Sequence, residues 1–193
     1  MGRVLDAYNT LFELTSKDKA KVYRNISNHY LKKGLPDKAL EYLREWVKND
    51  PTTSEAHYQL GIGYVMAGMP EKAIASFNKV LNLNSAHLGA IYRKSAIQLK
   101  MKNFQAAIPG LEKVITIKPE EAKAYYLLGI AYDGAGQVDE GIKAMQKAAE
   151  LDPHEIKYQQ HLGFMCVRKD DHQKAAEYFS KVMEMERDLE EEE

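Results

Sequence analysis

The sequence is short of several features that would have named a chemistry. It holds one cysteine, Cys166, in 193 residues. No disulfide can close within the chain, and a reducing, cytoplasmic compartment is expected. There is no run of about 18 apolar residues, so no helix is expected to span a membrane. Neither charge sign dominates, the formal net charge being -1. The basic residues are scattered, which argues against nucleic acid as a partner, since that needs a concentrated basic stripe. The acidity gathers at one end, where residues 186–193 hold six acids and one arginine. Asp6 stands where a myristoylation signal needs Ser or Thr, and no small-residue cleavage site follows. Neither a lipid anchor nor a secretory leader is expected.

Catalytic and metal-binding patterns are also missing. Six histidines occur, but no two stand in an HxxxH pair, and one cysteine is too few to complete a zinc site of three or four ligands. Gly61-Ile-Gly63 falls within a helical pattern, so it is no phosphate-binding loop. Cys166 shares a register with three tyrosines and reads as a small core residue. No catalytic residue, metal, cofactor or small-molecule substrate is therefore expected, and the chain does not read as an enzyme.

What is present is a period. Stepping by 34 residues without insertion aligns Ala39, Ala73, Ala107, Gly141 and Ala175. The same step aligns Leu43, Phe77, Leu111, Met145 and Phe179, and again Trp46, Val80, Val114, Ala148 and Val182. Small residues recur at Ser27, Gly61, Ser95, Gly129 and Gly163, and Tyr30, Tyr64 and Tyr132 share a register with Gln98 and Cys166. Within each unit the apolar residues fall at helical spacing. Gly34, Gly68 and Gly136 separate two apolar stretches, where a helix needs a left-handed C-cap. Each unit is thus a helical hairpin. Its small residues, such as Gly61 set against Ala73, are expected to let the two helices approach closely. Thr52 with Glu55 reads as a capping box at the entry to the second unit. No hairpin can bury both faces alone, so stacking supplies the core.

The pattern Leu60-Gly61-x-x-Tyr64…Ala73-x3-Phe77 resembles the tetratricopeptide repeat family, and the resemblance covers residues 20–189. It implies an all-α fold: a right-handed superhelical α-solenoid of five helix-turn-helix repeats preceded by an N-terminal helix. The units are placed at 20–53, 54–87, 88–121, 122–155 and 156–189. Before them lies an amphipathic helix within 1–19, and after them a solvated acidic tail at 190–193. The third unit departs from the pattern. It has Lys94, Ser95, Gln98 and Lys102 where its neighbours have Leu, Gly, Tyr and Gly, and it carries Pro109 inside its second helix. A kink at Pro109 and looser packing around Lys94 are expected. The unit is either a hinge or a drifted repeat.

The family resemblance also implies function. The first helix of each repeat lines a groove that binds proteins or peptides, and the corresponding residues are Arg24, Asn28, Tyr58, Gln59, Tyr92, Arg93 and Tyr126. Tyr58, Tyr92 and Tyr126 either form a platform for a peptide or pack between helices. Asn28 and Arg93 match the subset of repeats that clamps an acidic C-terminal peptide, as co-chaperones do. Arg24 and Gln59 are conservative departures from it, and Gly89 replaces a lysine that the clamp requires. The order of segments resembles a magnetosome-associated branch of the family: a short N-terminal helix before five repeats, NFQAAIPGLEKV with Pro109 in the third unit, YLLGIAYDGAGQVDEGIKAMQKAAELDP in the fourth, and KVMEMERD near the end. That branch implies a self-assembling scaffold on the cytoplasmic face of magnetosome vesicles, peripheral to the membrane through a protein partner. Val4, Leu5, Tyr8, Leu11 and Phe12 form an apolar stripe at helical spacing. They are the candidate self-association residues, with capping of the first repeat as the alternative.

Overall fold

The computed structural model describes residues 14–191, which are helical with no strand among them. Ten helices follow in order: α1 (Ser16–Lys32), α2 (Pro36–Asn49), α3 (Ser54–Met66), α4 (Pro70–Leu83), α5 (Leu88–Lys100), α6 (Phe104–Ile117), α7 (Ala122–Gly134), α8 (Val138–Leu151), α9 (Ile156–Arg168) and α10 (His172–Glu191). The helices pair as hairpins, with α1 packed on α2, α3 on α4, α7 on α8 and α9 on α10. The chain divides into two compact units, Met1–Ala90 and Ile91–Glu193. The division falls within α5, in the repeat whose sequence departs from the pattern.

Local chemistry sets the helix ends. Thr15 caps α1: its side-chain oxygen accepts from the Asp18 amide, and its hydroxyl donates to the Asp18 carboxylate at 2.6 Å. Pro36 and Pro70 open α2 and α4, where a missing amide costs nothing. At the hairpin turns Gly34, Gly68 and Gly136 take left-handed φ of 69°, 69° and 81°, and Lys102 and Asp170 take 59° and 57° at the same register. The amide of the next residue then reaches back to a helix carbonyl in all five hairpins: Leu35 to Tyr30, Met69 to Tyr64, Asn103 to Gln98, Gln137 to Tyr132 and Asp171 to Cys166. This is the Schellman closure, and its acceptors are the Tyr/Gln/Cys register of the sequence. A non-glycine residue in this conformation costs about 1–2 kcal/mol. Lys102→Gly should therefore stabilise the protein by about 0.5–1 kcal/mol once the chain entropy of glycine is set against the relief. Gly68→Ala should destabilise it by about 1–2 kcal/mol. Urea midpoints that move the other way would show that the turn is not strained.

Several expectations are revised. The N-cap of α3 is Thr53, not Thr52, and its hydroxyl donates to the Asp50 carboxylate. Glu55 accepts from the Gln59 amide instead of closing a capping box. Residues 16–19, placed by the sequence in an N-terminal helix, belong to α1, and α10 runs on through Glu191 into the acidic tail. Pro109 lies inside α6 as expected, with its ring exposed. Beside it, Gly110 lies so close to α5 that a Cβ there would stand 2.8 Å from the Ser95 hydroxyl. Lys94 is half-buried, and Ser95 and Gln98 of the same unit are buried. Gly61 makes room not for Ala73 but for the Phe77 ring, which a Cβ would meet at 2.6 Å. Gly163 does the same for Phe179 at 2.6 Å.

Packing within each unit follows the 34-residue register. In the first, Leu40, Leu43 and Trp46 of α2 join Ala56 and Leu60 of α3 in one core. Gly63 lets α3 settle on Leu40 and Leu43. In the second, Ala107, Ile108 and Leu111 meet Leu128 and Ala131, and Met145 and Ala148 meet Tyr158, Leu162 and Met165. Tyrosines tie the layers together at the edge. The Tyr132 hydroxyl donates to Glu112 at 2.7 Å, which pushes its pKa up to about 12. Tyr64 makes the equivalent contact with Arg44, whose Nε donates to it at 3.5 Å.

Candidate functional site

In the first unit α1 carries Arg24 and Asn28, and α3 carries Tyr58 and Gln59. Arg24 is exposed, with its carbonyl accepting from the buried Ser27 hydroxyl. Asn28 is half-buried. Gln59 is held by Glu55 on its own helix at 2.7 Å. Tyr58 is half-buried against Phe77 and His87, with ring centroids 5.8 and 4.7 Å away. It is a packing residue as much as a surface one. A Cβ at Gly89 would stand 2.7 Å from the Tyr58 hydroxyl. The lysine of a carboxylate clamp at that position would require Tyr58 to move.

The second unit carries Tyr92 and Arg93 on α5 and Tyr126 on α7, and here the structure gathers more than the sequence indicated. The Tyr92 hydroxyl is buried without a hydrogen bond of normal geometry. Burial, with the Glu121 carboxylate nearby, holds that phenol well above its ordinary range. Tyr126 lies against Tyr158 at 5.1 Å and edge-on to His161 at 5.3 Å. Its hydroxyl is 3.2 Å from His161 Nε2, and the Lys157 ammonium sits 5.4 Å from its ring centroid. Asp133 pairs with Arg168, yet its Oδ1 is buried without a partner. One turn from His161, Phe164 stands 60% exposed, resting edge-on against Phe179. Aromatic area, paired charge and an unfilled buried acceptor therefore lie together on α7 and α9, a combination suited to binding a polypeptide.

The His161 imidazole is held below its ordinary range. Burial lowers its pKa below 6.5, Arg168 and Lys157 push the same way, and Asp133 opposes them. A base whose folded pKa is depressed contributes stability above its unfolded pKa and loses it as pH falls. The parent should lose stability below pH 6.5 more steeply than His161→Gln does. Parallel thermal-melt profiles for the two proteins would contradict this.

Asp133, Lys157, Tyr158 and Arg168 were not read from the sequence as site residues. A signal existed for Asp133, because its register is otherwise Leu31, Val65, Leu99 and Val167. The stripe Val4, Leu5, Tyr8, Leu11 and Phe12 lies outside the described residues. Cys166 is buried, and burial pushes its thiol up, away from a reactive thiolate. Among the described residues no group of three His, Cys, Asp or Glu side chains could hold a metal ion, and no helix is long and apolar enough to cross a membrane.

Residues 54–87 and 98–162 match the family described as Tetratricopeptide repeat, and residues 22–50 match the PPR repeat. A solved structure of MamA from Desulfovibrio magneticus RS-1 is 54% identical, with a TM-score of 0.85 over 89% of this chain and 97% of that one. The chain belongs to the MamA family of tetratricopeptide proteins. A second MamA crystal structure, 30% identical, gives a TM-score of 0.84 over 89% of this chain and 93% of its own. Curated relatives outside the family are more distant and longer. Lipopolysaccharide assembly protein B of Escherichia coli K12 is 22% identical over 173 residues, and the chain spans 44% of its length. Against the CTR9 homolog of Arabidopsis thaliana that share falls to 14%. Membership of the MamA family makes this a protein–protein interaction scaffold, in a family of repeats that typically carry no catalysis.

Proposed function

We propose that this chain is a non-enzymatic scaffold that assembles with copies of itself and holds partner proteins or peptides on the first helices of its repeats. Its place is the cytoplasmic surface of magnetosome vesicles, reached through a membrane-associated protein partner. The observation that carries this reading is the 54% identity to a MamA structure across 97% of that chain. Each unit offers its own binding surface: Tyr126, His161 and Phe164 with the Asp133–Arg168 pair in the second, and Arg24, Asn28 and Gln59 in the first. Light scattering after size exclusion tests the assembly. The purified chain is expected to form species much larger than a dimer, and a monomer at tens of micromolar would overturn it.

Arg24, Asn28 and Arg93 favour a second reading, an adaptor or co-chaperone for acidic C-terminal peptides. Gly89 beneath the Tyr58 hydroxyl weighs against it. A peptide ending in free carboxylate that binds tightly, and loses binding when amidated, would support the adaptor instead.

A further inference from the structure

Among the described residues no hairpin follows α10, yet this helix keeps the register that receives one. In the earlier second helices Leu43, Phe77, Leu111 and Met145 are 0% exposed, whereas their counterpart Phe179 is half-buried. One turn further, Val47, Leu81, Ile115 and Ala149 are half-buried, and Met183 is 70% exposed. One turn back, Leu40 and Ile108 are buried, and Ala176 is exposed. Phe164 of α9 rests edge-on against Phe179 and widens the apolar face. A terminal repeat normally carries a polar outer face, and a contiguous apolar one marks a place of contact.

The same face states the charge of what it receives. Counting on from Phe179 and Met183 at helical spacing, the next two positions are Glu186 and Glu190, both exposed. They stand near the C-terminus of α10, where the helix dipole is already negative and the last turn has no basic residue. A cationic neighbour relieves both. Within the chain, the start of each first helix settles against the end of the preceding second helix, as Ala56 shares a core with Trp46. The buried pairs Ala56 with Leu60 and Ala124 with Leu128 give the shape of such a guest, a small residue followed four positions on by leucine. An anionic bilayer, or α10 of a second copy, would set negative charge against Glu186 and Glu190.

We infer that the outer face of α10 seats a basic amphipathic helix of a partner protein, which joins the array as the next first helix would. The inference goes beyond the groove reading, since α10 is a second helix and its outer face lies off the first-helix surfaces. The guest's apolar stripe covers Ala176, Phe179 and Met183, and its first turns bring lysine or arginine to Glu186 and Glu190. Burial of the apolar face supplies affinity, and the charges fix the guest's direction.

The full chain is titrated with two fluorescent, hydrocarbon-stapled peptides of about four turns, because short free helices are marginal in water. Both carry Ala-x3-Leu on one face, flanked by lysines in one peptide and by glutamates in the other. The lysine peptide should bind and the glutamate peptide should not, with affinity falling as salt is raised. Met183→Glu should weaken binding by about tenfold or more. Glu186→Lys combined with Glu190→Lys should weaken it by about fivefold or more. All three side chains are exposed, so melting temperatures should stay at the parent's value. A lysine peptide that fails to bind at about 1 mM, or binds Met183→Glu as tightly as the parent, overturns the inference. So does a Met183→Glu protein that stops sedimenting with phosphatidylglycerol vesicles when the parent does, or that forms smaller assemblies than the parent. The face then belongs to a membrane or to a second copy.

Discussion

Phe77→Ala should lower stability by about 3–5 kcal/mol, the cost of deleting a fully buried phenyl ring and leaving a cavity. Phe77 is 0% exposed and fills the space that the absent side chain of Gly61 leaves in α3. The converse change tests the same contact from the other side. Alanine is the better helix former by about 1 kcal/mol, yet Gly61→Ala would place a methyl group 2.6 Å from the Phe77 ring. The ring is wedged in a core with Tyr58 beside it, so it cannot simply swing away. Gly61→Ala should thus be destabilising by about 1–3 kcal/mol despite its propensity gain. In a Phe77→Leu background the clash is relieved, and Gly61→Ala should become neutral or stabilising. Urea denaturation of the four proteins gives a coupling energy. Additive changes would show that the two residues do not share this space.

If the chain self-assembles through its N-terminal stripe as proposed, removing residues 1–13 should leave a folded monomer. The cut spares Thr15, whose side chain caps α1, so the first described hairpin keeps its own stop signal. The stripe Val4, Leu5, Tyr8, Leu11 and Phe12 is too apolar to be left in water without cost: burying such side chains is worth about 1.5–3 kcal/mol each. Losing several of them from an intermolecular contact is enough to move a micromolar association beyond the millimolar range. Light scattering reads the mass and circular dichroism reads the fold. A truncated chain that unfolds would make the segment a cap on the first repeat. One that folds and still forms large particles would place assembly elsewhere.

The family was legible in the sequence because a tetratricopeptide turn is local chemistry. A left-handed residue, a back-reaching amide and an apolar stripe need only the next few residues, so Gly34, Gly68 and Gly136 announced three of the turns. Lys102 and Asp170 occupy the same conformation without announcing it, because the flanking helices impose what a glycine would have allowed. The 34-residue phase carried the two turns that the residues themselves did not.

The sequence by itself determined the hairpins, their order and the registers facing inward, since each follows from a period of 3.6 nested within one of 34. Only the tertiary structure decided what those registers touch. That Gly61 yields to Phe77 rather than to Ala73 depends on how far a side chain reaches across the gap, and spacing alone does not encode reach. Asp133 finds Arg168, and Tyr126 finds His161, because stacked hairpins bring residues 35 apart into contact. Charge and aromatic partners at such separations are chosen by packing, in which a side chain's direction and its neighbours' volume settle together what neither residue specifies alone.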